Sequence, residues 1–323
     1  MKRRTFLQAA GVASVLPRAV MAQDKYPSKL ITWICPYAAG GNADIRSRQL
    51  SAAMAKLMNV VIIVDNKPGA GGNIGTEAIV RAKPDGYTLG LGNFAPMAVN
   101  KSLFKKINFD PLTDLTPIML IEKGPLILMV RADSPHKTVK DLVAAAKKTP
   151  GKTTYASGGI GGTHHMSAAL FSATAGIDMI HVPYKGSSQA VQALLAGEVA
   201  VTFSTMPPAL TSVKAGRLRA LGVTTPQRNS AAPEVPTIAE AGLKGFDVVL
   251  YSGVLAPARL PAPIVTKLNA EFIKAVNSPE VKTVYASLGV DAITDTPAEF
   301  AAHIAADIDK LGKAVRASGA HAD

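Results

Sequence analysis

The sequence predicts an α/β protein of two domains, each a mainly parallel sheet flanked by helices, with a ligand cleft between them. Three observations predict it. Strand-like and helix-like runs alternate along most of the 323 residues, the rhythm that lays helices on the faces of a parallel sheet. Two glycine-rich loops, Pro36-Tyr37-Ala38-Ala39-Gly40-Gly41-Asn42-Ala43-Asp44 and Ser157-Gly158-Gly159-Ile160-Gly161-Gly162-Thr163-His164-His165, each follow a strand and open a helix in a separate α/β segment. Two stretches, Leu126–Asp133 and Tyr251–Ala258, share the order strand, proline, amphipathic helix. A chain that leaves one domain, builds a second and returns needs two such crossings. They divide it into 23–128 with 252–323 as the first domain and 129–251 as the second.

In chain order, Lys29–Cys35 is a β-like run and Ala43–Leu57 has apolar residues at helical spacing. Val60–Val64 is a second short strand, followed by a glycine-rich loop, a helix from about Asn73 to Ala82, and a strand at Tyr87–Leu91. Ile118–Ile121 and Leu126–Arg131 read as strands, ending at Asp133-Ser134-Pro135. A helix starts near Val139, and Thr153–Ala156 leads into the second glycine loop. His165–Ala175 is helical, Met179–Val182 extended, Ser188–Ala196 helical, and Ala200–Phe203 and Leu218–Val223 complete the second alternation. Pro226–Pro236 reads as an ordered loop. Val248–Leu255 is the last clear strand, ending at Pro257 and Pro261-Ala262-Pro263, with the C-terminal helices expected to pack back on the first domain.

Residues 1–22 read as a cleavable export signal. Lys2-Arg3-Arg4 precedes the apolar run Phe6–Leu16, and Val20-Met21-Ala22 supplies the small-residue ending. The apolar run is too short for a membrane span. Arg3-Arg4-Thr5-Phe6-Leu7 resembles a twin-arginine pattern, with Lys2 where Ser or Thr is usual. Cleavage after Ala22 removes four basic residues and lowers the formal charge from +12 to +8. No dense basic cluster follows and aromatics make up 5% of the chain, so nucleic acid is not an expected partner. Cys35, the single cysteine, sits in an apolar run and reads as a buried small residue.

The loops carry the chemistry. A glycine-rich turn aims backbone N–H groups at a ligand, and the helix behind it adds partial positive charge, so two such loops suggest a cleft closing on an anion. A dinucleotide site fails on spacing: Gly69-x-Gly71-x-x-Ile74 lacks its third glycine, and no acid ends a following strand. His164-His165 lacks an acid or further histidine three or four residues away, so no metal is expected. No nucleophile elbow surrounds Ser157. Asp44 lies in the first turn of a helix, where a carboxylate caps, with Arg48 placed to pair with it. Tyr184-Lys185-Gly186-Ser187-Ser188 lies between a strand and a helix, and reads either as a cap or as a third loop facing the cleft.

These ordered motifs resemble the exported solute-binding receptors of tripartite tricarboxylate transporters, the Bug proteins. The most specific are Pro36-Tyr37-x-x-Gly40-Gly41-x-x-Asp44 with Arg48, Asp65-Asn66-Lys67-Pro68-Gly69-Ala70-Gly71-Gly72-Asn73-Ile74-Gly75, Pro84-Asp85-Gly86-Tyr87-Thr88-Leu89, His181-Val182-Pro183-Tyr184-Lys185-Gly186 and Glu234-Val235-Pro236-Thr237-Ile238-Ala239-Glu240-Ala241-Gly242. The resemblance implies a two-domain Venus-flytrap fold of the type II periplasmic-binding class. It implies a small carboxylate held by Tyr37, Ala38, Gly40, Gly41, Asn42 and Asp44, flanked by Asn93, and from the second domain by Ser157, Gly161, Thr163, His165, Tyr184, Gly186 and Ser204. Ala200 and Ser204 stand where such receptors commonly carry aspartates, Gly162 where Ser or Thr is usual, and Tyr251 where Trp is frequent.

The expectation is a periplasmic, monomeric, non-catalytic receptor that needs no cofactor. It would capture a small organic carboxylate and hand it to membrane permease subunits. The alternatives are a periplasmic sensor feeding a signalling protein, or an exported hydrolase using Ser157 and His165.

Overall fold

The computed structural model describes residues 26–184, 186–319, 321 and 322. The expected export signal, residues 1–22, lies outside them.

Eleven strands are present among the described residues: β1 Ile31–Cys35, β2 Ile62–Asn66, β3 Thr88–Asn93, β4 Leu115–Gly124, β5 Leu126–Arg131, β6 Thr153–Ser157, β7 Met179–Pro183, β8 Val201–Thr205, β9 Leu218–Val223, β10 Leu250–Pro257 and β11 Asp291–Ala292. The α-helices are α1 Asn42–Met58, α2 Asn73–Val80, α3 Asn100–Leu103, α4 Val139–Lys148, α5 Thr163–Ala175, α6 Ser187–Ala196, α7 Met206–Lys214, α8 Ala262–Val276, α9 Pro279–Ser287 and α10 Pro297–Ser318. One sheet has the order β11-β4-β10-β3-β1-β2 and the other β7-β6-β8-β5-β9. Each sheet with its flanking helices forms a lobe.

Pairing within the sheets is mixed. Strands joined by helical crossovers run parallel: β1 with β2 and β3, β6 with β7 and β8. The two strands with which the chain enters a lobe run antiparallel to both neighbours. β5 lies between β8 and β9, and β10 between β3 and β4. A strand arriving from the other lobe, with no helix to turn it round, inserts against the local direction. That shared role is the physical basis of the sequence echo between Leu126–Asp133 and Tyr251–Ala258.

The first sheet buries Ile31, Trp33, Leu89 and Leu91 against α1 and α8, with the Trp33 ring centred 5.8 Å from that of Phe272. Burial raises the pKa of the Cys35 thiol within this strand. A second apolar cluster runs without a break from lobe to lobe, from Phe94, Leu103, Tyr251 and Phe300 to Phe171, Phe203 and Phe246.

Helix α10 makes this continuity. Thr296 and Glu299 form its capping box, and its 22 residues span about 33 Å. It packs on β4 of the first sheet and on α5 of the other lobe. α8 and α9 pack on elements of the first lobe, whereas α10 is long enough to join both. No described helix is long and apolar enough to cross a membrane.

Candidate ligand-binding site

The lobes enclose a cavity of about 650 Å³. One wall is the first glycine loop, Tyr37 to Ala43, with Arg46, Asn93, Phe94, Glu122, Leu250, Tyr251, Ser252 and Val290. The other wall is Thr163, His164, Gly186, Ser187 and Thr205.

Three helices open onto this space. α1, α5 and α6 have glycine N-caps, Gly41, Gly162 and Gly186, and none has a side-chain cap. Their first intrahelical bonds run from Ile45 to Gly41, Met166 to Gly162 and Ala190 to Gly186. The N–H groups of Asn42, Ala43, Thr163, His164, Ser187 and Ser188 are therefore left over, as at any helix start. Elsewhere the chain does cap: Thr138 and Thr296 close capping boxes on α4 and α10. A fourth helix, α7, follows Thr205 with Met206-Pro207-Pro208. The prolines have no N–H, so here the Thr205 hydroxyl is the polar contribution.

Close packing of loops requires glycine at one point in particular. A Cβ on Gly158 would lie 3.0 Å from the Ser187 nitrogen and 3.1 Å from the Gly186 carbonyl carbon. The second glycine loop is thus pressed directly against the start of α6.

Of the residues named from sequence, Tyr37, Ala38, Gly40, Gly41, Asn42, Asn93, Thr163 and Gly186 line the cavity. Tyr37 donates its hydroxyl proton to Asn93 Oδ1 at 2.7 Å, which leaves the Asn93 Nδ2 as a donor. The other six named residues are not part of the lining.

Asp44 is buried beneath the loop and acts as its clamp. Its Oδ2 accepts from the Gly40 N–H at 2.9 Å and Arg48 Nε at 3.0 Å, and its Oδ1 from Asn66 Nδ2 at 2.9 Å. Arg48 first, then the Gly40 N–H, pull its pKa down to about 2. Asn66 also donates to the Tyr37 carbonyl at 3.0 Å. Asp44 therefore does not cap α1 as the sequence suggested: its carboxylate reaches back to the Gly40 N–H ahead of the helix, while the expected pairing with Arg48 is present.

Ser157 is fully buried. Its Oγ lies 3.0 Å from the Gly159 carbonyl oxygen and 2.6 Å from His181 Nε2. The one hydroxyl proton serves either the Gly159 carbonyl or His181 Nε2, according to the imidazole tautomer. His165 is not its partner: His165 Nδ1 accepts from the Gly161 N–H at 3.0 Å, and the ring stacks on His181 at 3.9 Å. His181 stacks in turn on Tyr155. Burial pushes His165 and His181 down to about 4, with the neighbouring His181 adding to the effect on His165. The imidazoles are therefore neutral near pH 7, and Ser157, His165 and His181 are not part of the cavity lining.

Gly161 abuts Leu103 of the opposite lobe. The Tyr184 hydroxyl donates to Glu198 at 2.9 Å, and its N–H donates to the Ser157 carbonyl. Ser204 is buried behind Ser187, with their Oγ atoms 3.1 Å apart. Ala200 begins the opposite end of β8 from Thr205, about 16 Å away along the strand. It packs against the core, so its small size does not shape the cavity.

Sequence reasoning missed Arg46, Glu122, His164, Thr205 and Ser252. Arg46 Nε lies 2.9 Å from Glu122 Oε2, and Ser252 donates to Glu122 Oε1 at 2.7 Å. Burial raises the Glu122 pKa, opposed by Arg46 and the Ser252 hydroxyl. Burial also pushes His164 down to about 4. One signal for Arg46 was present: it is four residues after Asn42, hence on the same helical face. Among the described residues no group of three or more His, Cys, Asp or Glu could hold a metal ion.

The family model for the tripartite tricarboxylate transporter family receptor matches residues 46–320. Protein BugT of Bordetella pertussis is 34% identical over 316 residues, covering 98% of this chain and 95% of BugT. R. palustris Rpa4515, solved with adipate, superposes with a TM-score of 0.80 at 30% identity, covering 91% of this chain and 98% of that one. MatC (Rpa3494) of Rhodopseudomonas palustris, solved with malate, superposes at 0.78 and 30% identity, covering 90% and 100%. With its two α/β lobes and the cavity between them, the chain belongs to the tripartite tricarboxylate transporter receptor family.

Proposed function

We propose that this protein is an exported, periplasmic solute-binding receptor without catalytic activity. It captures a small organic carboxylate between its lobes and delivers it to the membrane permease subunits of a tripartite transporter. One observation carries the reading: α1, α5 and α6 direct uncapped N-termini at a single cavity. Backbone dipoles of this kind stabilise an anion without a full positive charge. The adipate and malate of the two related structures are small carboxylates, which supports that ligand class.

In this reading residues 23–128 with 252–323, and residues 129–251, are two domains that close about the crossings at β4–β5 and before β10. A ligand touching both walls stabilises the closed form by its differential affinity. Tyr37, Ala38, Gly40, Gly41, Asn42, Asn93, Thr163 and Gly186 contact it directly. Asp44, Ser157, Gly161, His165, Tyr184 and Ser204 hold the loops that do. Thermal denaturation of the mature chain with mono-, di- and tricarboxylates tests the proposal. A carboxylate that raises Tm in a saturable way is expected. Stabilisation by neutral or cationic solutes alone would overturn it.

A further inference from the structure

We propose that Arg46 reads a second anionic group on the ligand, so that this cleft prefers dicarboxylates over monocarboxylates of the same chain length. The inference rests on the reading of the cleft as a carboxylate site. It adds a specificity residue and a built support for it.

Arg46 and Glu122 are the only charged side chains in the lining among the described residues. They are unequally available. Glu122 is 3% exposed, with one oxygen ion-paired to Arg46 and the other bonded to Ser252. Its Oε2 is buried against Arg46 with no hydrogen bond of its own, out of reach of a ligand ammonium or hydroxyl. The Arg46 side chain is 13% exposed, and its Nε lies 2.9 Å from Glu122 Oε2 in an ion pair without hydrogen-bond geometry. Its Nη1 and Nη2 have no hydrogen-bond partner among the described residues.

A guanidinium offers five N–H donors in a rigid fork, and the edge carrying the two Nη atoms fits a carboxylate bidentately. With Nε turned toward the buried Glu122 carboxylate, that edge remains for the cavity. Ser252 and Glu122 are positioning residues, fixing the plane of the fork from behind. The charge balance of the site points the same way. On the facing wall Thr163, Ser187 and Thr205 supply only hydroxyls. No unpaired acid opposes a second negative charge, while the helix N-termini of the glycine loops receive the first.

The experiment is calorimetric titration of the mature protein with straight-chain dicarboxylates from succinate to pimelate, and with the monocarboxylate of each length. The best diacid should bind about 10- to 100-fold more tightly than its monoacid, as for a hydrogen-bonded charge pair. Arg46→Met should remove that preference, bringing the diacid's affinity down to that of the monoacid measured on the same variant. Because Arg46→Met strands the Glu122 carboxylate, the double variant Arg46→Met/Glu122→Gln, with no buried charge, is measured beside it. Equal binding of mono- and diacids by the unmodified protein would overturn the Arg46 assignment and leave carboxylate capture standing. So would a diacid preference that survives either variant. If the unmodified protein binds no carboxylate of either series, both readings fail.

Discussion

Leu103 and Gly161 meet across the cleft from opposite lobes: a methyl group on Gly161 would overlap Cδ2 of Leu103. Gly161 also has φ +73°, where an L side chain is strained by about 1–2 kcal/mol. Gly161→Ala should therefore disfavour closure and weaken carboxylate binding about tenfold or more. Leu103→Ala in the same chain should restore part of the loss, since it removes the overlap but not the strain. Calorimetry on the single and double variants checks this. Full affinity in Gly161→Ala would contradict the contact as a determinant of closure.

Asp44 supports the loop from beneath, so its loss should reduce stability together with binding. Asp44→Ala strands the Gly40 N–H and releases Asn66 and Arg48, at a cost of about 1–3 kcal/mol. The change is read from chemical denaturation and a parallel titration. Loss of binding with stability intact would make Asp44 a direct ligand contact instead.

Ser157→Ala should still bind carboxylates, with affinity lowered only as far as the glycine loop loosens, while losing about 1 kcal/mol of stability. No ester turnover should be detectable in either protein. An esterase activity abolished by this substitution would restore the hydrolase alternative.

Burial holds His165 and His181 neutral, with pKa values near 4. In the unfolded chain each takes up a proton near pH 6.5. Between about pH 6.5 and 4 the unfolded state then holds more protons at these sites, and stability falls as pH falls. Asp295 and Asp307, raised to about 6 by burial, act in the opposite sense over roughly pH 6 to 4. His164 and His303, also lowered to about 4 by burial, act in the same sense as the pair, and the double variant His165→Gln/His181→Gln isolates the share of the stacked rings. Its Tm should decline less on acidification than that of the unmodified chain, as followed by scanning calorimetry. An unchanged slope would contradict the stacked pair as an acid-sensitive element.

The elements were largely legible because their signals are local. Alternation in Lys29–Cys35 and helical spacing in Ala43–Leu57 anticipate β1 and α1, and the repeated strand–proline–helix order marks β5 and β10. The antiparallel insertion of those strands was not legible, because it depends on the direction from which the chain arrives. Within the site, the backbone loops were readable from glycine, but the facing of side chains was not. One step of strand or helix phase separates Ser204 from Thr205 and His165 from His164, and in both pairs the neighbour lines the cavity. Arg46 on α1 and Glu122 on β4 meet only in the tertiary fold, and no local motif announces that pair.

Hydrogen–deuterium exchange of the mature protein, with and without a stabilising carboxylate, most directly tests whether the ligand rests on the helix N-termini. Added protection should be concentrated in peptides containing residues 37–46, 161–166 and 186–189, the first turns of α1, α5 and α6. A carboxylate that binds with saturation yet leaves those three segments unprotected would contradict capture by the backbone groups of the cleft.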